Sequence, residues 1–319
     1  MSARKSKNTV LTVVKQNAPI FYLVIFVLIG CLFIPNFGSR ANFLNILRQS
    51  AAPIISCIAM TFILITGNID LSTGYIVSLV SISCGIMVKT LELSPGLVIL
   101  LCLLIGCAAG AVNGLLVTVF QIPSFIVTLG TGMILTGLAQ LVSQNTSYHD
   151  LPDGFRAFAK AEPFSLPITI FYAIIIAFIV WVVLHKSVFG RELRALGLNA
   201  QASRIAGINE KKSVFITFVI SGCLTAFCSI LMTIRVNCAQ PDLGGSNFSF
   251  EAITAAVIGG TSLLGGQVNV PCCVAGALII KCIESWINIL NLNYYLYQAI
   301  LGIAILVALV ADALKNRAR

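Results

Sequence analysis

The chain has 319 residues, of which 58% are hydrophobic and 10% are charged, and its formal net charge is +9. A soluble domain has about a quarter of its residues charged, so this composition excludes a soluble globular fold. The surplus of basic residues does not indicate nucleic-acid binding, because these residues stand in tails and loops beside apolar segments, without a stripe interleaved with aromatics. The composition indicates an integral membrane protein whose partners include lipid and exclude nucleic acid.

Ten apolar segments approach the length of about 20 residues that a bilayer-spanning helix needs. The first follows a basic N-terminal stretch and lacks a cleavage site, so it is interpreted as a retained helix and not as a signal peptide. The eighth is short for a full crossing. The predicted spans are 18–34, 49–66, 70–88, 94–119, 123–143, 164–184, 213–234, 248–264, 268–288 and 294–313. They predict an all-α polytopic membrane protein of about ten transmembrane helices.

The basic residues predict the orientation of these spans. They are concentrated in the N-terminal segment 1–15, in the polar segment 186–212 and in the C-terminal segment 315–319. Six predicted spans separate the first segment from the second, and four separate the second from the third, so all three fall on one side. Short loops rich in Lys and Arg stay in the cytoplasm, so both termini and segment 186–212 are predicted to be cytoplasmic.

A break in the apolar sequence occurs at 67–74, Gly-Asn-Ile-Asp-Leu-Ser-Thr-Gly. An ionisable residue at membrane depth is a candidate for function, and Asp70 either lines a polar cavity or caps the third span. Residues 259–266 repeat the seven-residue glycine spacing around a Leu and a Ser. Transporters are often built from two related halves with broken helices, so the repeat suggests two related halves, with chance similarity as the alternative.

Segment 186–212 carries a local charge of +4, from six basic and two acidic residues, and its pattern predicts two short helices. Asn199 is a suitable N-cap for the second helix, and Gly207 is a suitable left-handed stop. A helix of about two turns is marginal alone, so it should pack on this membrane domain or in a partner's groove. Its small apolar face consists of Ala202, Ile205 and Ala206. The segment is predicted to be a docking element, with a solvated loop as the alternative.

Further ionisable residues stand in or beside the later spans. Glu251 opens the eighth span and admits the same two interpretations as Asp70. Lys281 and Glu284 share a helical face, where an ion pair between them is favoured over substrate contact. Arg235 and Asn237 end the seventh span at the outer face, where lipid headgroups and a docking protein are both open interpretations.

Motifs for catalysis and for bound cofactors are missing from the sequence. The eleven cysteines show no C-x-x-C spacing, and the two histidines are far apart, so neither a metal site nor a cofactor is predicted. There is no phosphate-binding G-x-x-x-x-G-K-[ST], no H-E-x-x-H and no G-x-S-x-G. No catalytic residue is therefore predicted, and any ATP that drives this protein must be bound by another subunit.

Five segments in a fixed order, 67–74, 113–117, 123–131, 190–209 and 255–266, resemble the permease subunits of bacterial ATP-binding-cassette importers for simple sugars. This is the ribose, galactose and xylose permease family, and the resemblance covers nearly the whole chain. It implies one transmembrane permease domain over residues 1–319, in the bacterial plasma (inner) membrane.

The resemblance also implies three protein partners. The permease works as a dimer with a second permease subunit, which is either an identical copy or a paralogue. A cytoplasmic ATP-binding-cassette subunit grips the coupling loop 186–212, and an extracytoplasmic sugar-binding protein delivers a monosaccharide. An ion-gradient-driven secondary transporter or channel is the alternative, and it would need relay residues such as Asp70, Glu251 and Glu284.

Two sets of candidate site residues follow. Those predicted to shape the contact with the ATPase are Arg191, Arg194, Asn199, Arg204 and Gly207. Those predicted more weakly to line the substrate path are Asn68, Asp70, Asn113 and Glu251.

The chain departs from the pattern of the family at several positions. Asn68 and Leu198 stand where the family usually has glycine. Val268, Cys272 and Cys273 replace a further glycine and a Gly-Thr pair. These departures affect the expected local packing and the substrate, but not the architecture.

Overall fold

The computed structural model describes residues 17–317, so the basic segment 1–15 and the last two residues of the C-terminal segment lie outside the described residues. Backbone polar groups at membrane depth must be satisfied internally, and helices do this within one segment. The helices before the polar segment are α1 Ala18–Phe33, α2 Arg40–Leu64, α3 Thr73–Lys89, α4 Pro95–Thr118, α5 Ser124–Ser143, α6 Asp153–Lys160 and α7 Ile168–Lys186. The helices from the polar segment onward are α8 Val188–Leu198, α9 Ala200–Ile205, α10 Glu210–Val236, α11 Gly245–Ile258, α12 Val270–Ile289 and α13 Tyr295–Arg317.

The prediction of an all-α membrane protein is confirmed, and each predicted span contains one helix. Within residues 17–317, six helices are long and apolar enough to cross a membrane, namely α2, α4, α5, α7, α10 and α12. Helices α1 and α3 and the first part of α13, Tyr295–Val307, are shorter apolar helices. The number of crossings and the orientation of the termini stay predictions.

The predicted eighth span, 248–264, is wrong at its C-terminal end. Helix α11 has 14 residues and ends at Ile258, because Gly260 takes a left-handed φ of 83° that an α-helix does not continue through. Fourteen residues rise about 21 Å, which is short of the roughly 30 Å hydrocarbon layer.

The core is organised around α2, in which every residue from Ser50 to Leu64 is buried. Helix α10 packs closely along α4, because small residues face one another there. A Cβ atom added to Gly106 would lie 2.4 Å from the carbonyl oxygen of Gly222. Such close backbone approach is typical of membrane helix pairs, where van der Waals contact supplies much of the association energy.

A small cap covers one end of the bundle. Strand β1 (Tyr148–His149) pairs antiparallel with β2 (Cys238–Ala239), and Leu151 and Phe155 of the adjoining segment are buried beneath it. Helix α10 starts beside segment 186–212 and leads into β2, so this cap lies at the end of the bundle away from that segment.

Candidate functional site

Segment 186–212 folds into the two short helices predicted for it, α8 and α9. The side-chain oxygen of Asn199 accepts a hydrogen bond from the backbone N–H of Ala202 at 2.9 Å, as an N-cap does. Gly207 has a φ of 84°, and the N–H of Ile208 donates to the carbonyl oxygen of Ser203 at 3.0 Å. This is the geometry of a left-handed helix stop, so both predicted ends of α9 are confirmed.

The apolar face of α9 is not covered by the membrane domain of this chain. The Ile205 side chain is 87% exposed, and Ala202 and Ala206 are exposed beside it. Arg204 donates from Nε to a carboxylate oxygen of Glu210 at 2.5 Å, and this pairing raises the pKa of the arginine. The opposite face of α9 does pack on this chain, where Ser203 is 4% exposed, and docking of the apolar face in a partner's groove stays a prediction.

The other two arginines of the predicted contact differ in exposure. Arg191 is exposed on α8. Arg194 is half-buried, and its Nε and Nη2 atoms are buried without a hydrogen-bond partner among the described residues. Unsatisfied buried donors cost stability, so Arg194 is a position where an acceptor from outside this chain would be stabilising.

Gly197, near the end of α8, contacts the second glycine break and Ile65, two residues before the first break. A Cβ atom added to Gly197 would lie 2.0 Å from the carbonyl oxygen of Ile65 and 2.2 Å from the nitrogen of Gly266. The N–H of Gly266 itself donates to the Ile65 carbonyl at 2.8 Å. A Cβ atom on Gly265 would lie 2.9 Å from the nitrogen of Gly67. Three segments distant in sequence are therefore in backbone contact.

A chain of buried hydrogen bonds closes the first break and contains two predicted path residues. A carboxylate oxygen of Asp70 accepts from the backbone N–H of Ser72 at 2.8 Å and from its hydroxyl at 2.5 Å. The Asn113 amide donates to the Ser72 hydroxyl at 2.8 Å, and the Thr131 hydroxyl donates to the Asn113 amide oxygen at 2.6 Å. Asp70 is 1% exposed and Asn113 is fully buried. Asp70 therefore stabilises the break itself and does not cap the third span, because α3 begins at Thr73 and its N-cap Ser72 makes no side-chain capping bond.

Hydroxyl groups from two other helices complete the first break. The N–H of Ile69 donates to Ser124 at 3.1 Å, and the N–H of Leu71 donates to Thr128 at 3.0 Å. The Ser249 hydroxyl donates to the Leu71 carbonyl oxygen at 2.8 Å. These backbone groups have no helical partners, because the chain is not helical at the break. Side-chain hydroxyl groups of α5 and α11 take the place of those partners.

Sequence reasoning missed these hydroxyl residues, because single Ser and Thr residues are common in membrane helices. One signal was present in the spacing of Ser124, Thr128 and Thr131. Steps of four and three residues put all three on one face of α5, turned toward the break.

Asn68 lies apart from the other path candidates. Its amide donates to the Thr66 hydroxyl at 2.9 Å, and its side chain lines a cavity of about 680 Å³. Arg204, Lys211 and Gln121 line the same cavity. The structure therefore places Asn68 with the polar segment 186–212 and not with Asp70.

Glu251 belongs to a half-enclosed cluster of charged side chains. Lys281 Nζ lies 2.7 Å from a Glu251 carboxylate oxygen and 2.6 Å from one of Glu284. The predicted Lys281–Glu284 ion pair is confirmed, and Glu251 joins it as a third member. The capping interpretation of Glu251 is wrong, because α11 begins six residues earlier, at Gly245. The cluster ties α11 to α12, the two helices that flank the second break.

Two of the departures from the family pattern, Leu198 and Cys273, lie against the second break. A Cβ atom on Gly259 would lie 2.4 Å from the Cα of Cys273, and the Cys273 sulfur is 3.1 Å from the Thr261 hydroxyl. Leu198 is 66% exposed, and a Cβ atom on Gly266 would lie 2.6 Å from its Cγ. These side chains take up space at the junction between the break and the polar segment.

Comparisons with known proteins agree on one group. A family model described as "Branched-chain amino acid transport system / permease component" matches residues 42–309. The ribose import permease protein of Haemophilus influenzae is 35% identical over 294 residues, which are 91% of this chain and 90% of that protein. The ribose import permease protein of Bacillus subtilis is 34% identical, covering 95% of this chain and 94% of that protein. The D-allose transport system permease protein of Escherichia coli is 31% identical, covering 99% and 97%. No solved structure matches the chain.

Proposed function

The chain belongs to the branched-chain amino acid transport system permease family, and from this premise we propose that it is the membrane-spanning permease of an ATP-binding-cassette importer for a monosaccharide. Sugars of the ribose, galactose and xylose type are favoured, because the relatives named above are permeases for ribose and allose. The protein is a multi-pass component of the bacterial inner membrane and a transport subunit, not an enzyme. ATP hydrolysis falls to a separate subunit.

The observation that carries this proposal is the position of segment 186–212, which has an exposed apolar face on one side and backbone contacts next to the glycine breaks on the other. On one side, α9 presents an apolar face with Ile205 87% exposed. On the other side, Gly197 of α8 touches Ile65 and Gly266 with no room for a methyl group. A partner that moves α9 therefore moves α8, and α8 moves both glycine breaks with it. An importer alternates between a state open to the outside and a state open to the cytoplasm. The partner shifts the equilibrium between these two states by binding them with different affinities.

Three protein partners are proposed for the permease domain 1–319. An ATP-binding-cassette subunit docks on the coupling loop 186–212 at the cytoplasmic face. A sugar-binding protein docks at the opposite face, and a second permease subunit, a copy or a paralogue, completes the translocation path.

The candidate residues take distinct proposed roles in the coupling loop. Asn199 and Gly207 fix the two ends of α9, and Arg204 closes the following turn through Glu210. Arg191 and Arg194 contact the ATPase directly, the first from an exposed position and the second through its unsatisfied donors.

The path candidates divide into contact and anchor residues. Asn68 faces a cavity and is proposed to meet the moving polar segment. Asp70 and Asn113 are buried, so they are proposed to anchor the first break rather than touch sugar. Glu251 is proposed to hold α11 against α12 through Lys281.

Docking on α9 is tested by substituting its exposed residue. Ile205→Ser removes an apolar side chain that makes few contacts in this chain, so folding should be unchanged. Co-purification of the cognate ATPase and ATP-linked sugar uptake should both fall at least about tenfold, as for a central apolar contact of an interface. Leu91→Ser, at an exposed site just beyond α3 and at the opposite end of the bundle, is the matched control. Full ATPase capture by Ile205→Ser would refute this docking face.

The role of Arg204 is tested by a charge swap. Arg204→Glu alone puts two acids together in the turn, and ATPase capture should be lost. Arg204→Glu with Glu210→Arg restores the ion pair in reversed order. Recovery of capture in the double variant assigns Arg204 to holding the turn, whereas continued loss assigns it to contact with the ATPase.

The alternative, an ion-gradient-driven transporter, draws on one observation, the charged cluster of Glu251, Lys281 and Glu284. Purified alone in liposomes, the chain should move no sugar in response to a proton or sodium gradient. Gradient-driven uptake without ATPase would favour the alternative.

A further inference from the structure

A positively charged cavity of about 250 Å³ lies at the end of the bundle away from segment 186–212. Helix α7 begins at this cavity and ends at segment 186–212, so the cavity and the segment lie at opposite ends of the bundle. Four basic residues line the cavity, Arg48, Arg156, Lys160 and Arg235. Among its described lining residues, Glu162 is the one acid, and it is paired with Arg48 at 2.6 Å. The lining therefore carries a net charge of +3.

Two polar groups at this cavity have no partner among residues 17–317. The Arg156 Nε atom is buried and unpaired, although its Nη1 reaches the exposed Asp153 at 3.1 Å. The Thr169 hydroxyl is also buried and unpaired, on a residue that is 7% exposed. Buried unsatisfied donors are destabilising, so a group that accepts hydrogen bonds would be stabilised here.

The surrounding backbone favours the same charge. Thr169 is the second residue of α7, and the N-terminus of a 19-residue helix carries a partial positive charge. The cavity is smaller than the sites of drug-sized ligands, which start near 300 Å³, and it suits a compact anion. The guanidinium group of arginine matches the oxygens of phosphate in hydrogen-bond geometry as well as in charge.

We propose that this cavity is a binding site for a phosphate group. A phosphate is supplied either by the headgroup of a phospholipid or by free inorganic phosphate. The surroundings of the cavity favour the lipid, because Phe164, which stands in the chain between the lining residues Glu162 and Pro167, is 91% exposed. A phenylalanine ring so exposed is stable in the lipid boundary, beside a headgroup held by the cations.

The test uses the purified full-length chain, delipidated in detergent, with bound molecules counted by native mass spectrometry. Three probes are added separately: phosphatidylglycerol, diacylglycerol and inorganic phosphate. One phosphatidylglycerol per chain is expected to remain bound, while diacylglycerol, which lacks the phosphate, is not retained. Retention of inorganic phosphate without retention of phosphatidylglycerol would support the same site with the free ion as its source.

Substitutions at the cavity test whether phosphatidylglycerol binds there. Arg156→Gln with Arg235→Gln should weaken phosphatidylglycerol binding roughly 30-fold, since two cations near an anionic group are lost. Thr169→Val keeps every charge and nearly the same shape, and it should weaken binding roughly fivefold. Arg40→Gln removes an exposed arginine of α2 outside the cavity and should change nothing. Gel filtration of each variant confirms that it is folded.

Unchanged binding in both cavity variants would overturn the proposal, and so would an equal loss in Arg40→Gln, which would indicate general surface charge. If the double variant kept its lipid and instead lost affinity for a purified sugar-binding protein, the cations would serve a protein carboxylate, and the phosphate site would again be refuted.

Discussion

The two glycine breaks share one spacing of glycines but are held in different ways. Side chains close the break at 67–74, where Asp70, Ser124 and Thr128 accept hydrogen bonds from its backbone. At the break 259–266 another backbone segment supplies the acceptor, as at Gly266, whose N–H donates to the carbonyl oxygen of Ile65, directly after α2. Both breaks are sensitive to added atoms, since a Cβ atom on Gly74 would lie 1.7 Å from the Gly245 carbonyl oxygen, and the first break is also sensitive to lost acceptors.

This difference teaches that a repeated motif does not imply a repeated mechanism. Both breaks leave backbone groups without helical partners, and each must satisfy them from its own surroundings. At the first break, hydroxyl groups of α5 and α11 are the hydrogen-bond partners. At the second break, another backbone segment is a partner, and an ion-pair cluster joins the helices on either side.

The largest effect is expected for the cluster that flanks the second break. Lys281→Met leaves Glu251 and Glu284 without their cation in a partly buried site, and the free energy of unfolding should fall by about 3–5 kcal/mol. Chemical unfolding in detergent measures it. The same change combined with Glu251→Gln and Glu284→Gln removes all three charges and should recover most of the loss. A loss below about 1 kcal/mol for Lys281→Met would show that the cluster does not hold this break.

Adding one methyl group at the contact between the coupling loop and the breaks should lower the free energy of unfolding by slightly less. Gly197→Ala places a Cβ atom 2.0 Å from a carbonyl oxygen, so backbone must shift, and about 3 kcal/mol of stability should be lost. Thermal unfolding and ATP-linked uptake report the effect. Gly130→Ala is the control, because its Cβ atom meets nothing within 4 Å. Equal stability of the two variants would mean that the close approach at Gly197 is unimportant.

The first break should respond to a lost acceptor. Asp70→Ala leaves the N–H and the hydroxyl of Ser72 unpaired and should cost about 2 kcal/mol. Asp70→Asn keeps a side-chain oxygen that can accept these hydrogen bonds, so the loss of stability should be smaller. Sugar uptake is compared with expression level for both variants. Lost uptake at full expression of a stable Asp70→Asn would assign Asp70 to the substrate path instead of to anchoring the break.

The smallest effect is expected at the far end of the same hydrogen-bond chain. Thr131→Val removes the donor to the Asn113 amide oxygen and should cost about 1 kcal/mol. Thr136→Val, also on α5, removes a hydroxyl whose bond among residues 17–317 is to its own helix, at the Gly132 carbonyl, and should be nearly neutral. If both variants behave alike, the chain from Asp70 to Thr131 does not stabilise the break as a unit.

Local features were predictable in detail. Asn199 and Gly207 were predicted as the two ends of α9, because capping depends on groups within a few residues. The Lys281–Glu284 pair was predictable for the same reason, since residues three apart share a helical face. The end of α11 was missed, because apolar composition continues past Ile258 while the backbone turns at Gly260.

Contacts between distant segments were not predictable from one sequence. Nothing local indicates that Glu251 reaches Lys281, or that Ser249 bonds the backbone at Leu71. Hydroxyl groups are especially hard to assign, because a Ser or Thr in a helix satisfies itself on its own carbonyl as readily as it serves a neighbour.

The sequence by itself determined that this chain is a helical membrane protein, where its helices run, and how its polar segment is capped. Hydropathy and capping act over one or two helical turns, so the order of residues is enough to specify them. Only the tertiary structure decided that Gly197 touches Ile65 and Gly266, and that the Asn113 amide donates to the Ser72 hydroxyl beside Asp70. Those contacts depend on how helices far apart in the chain pack together, and close packing has no signature in any one of them.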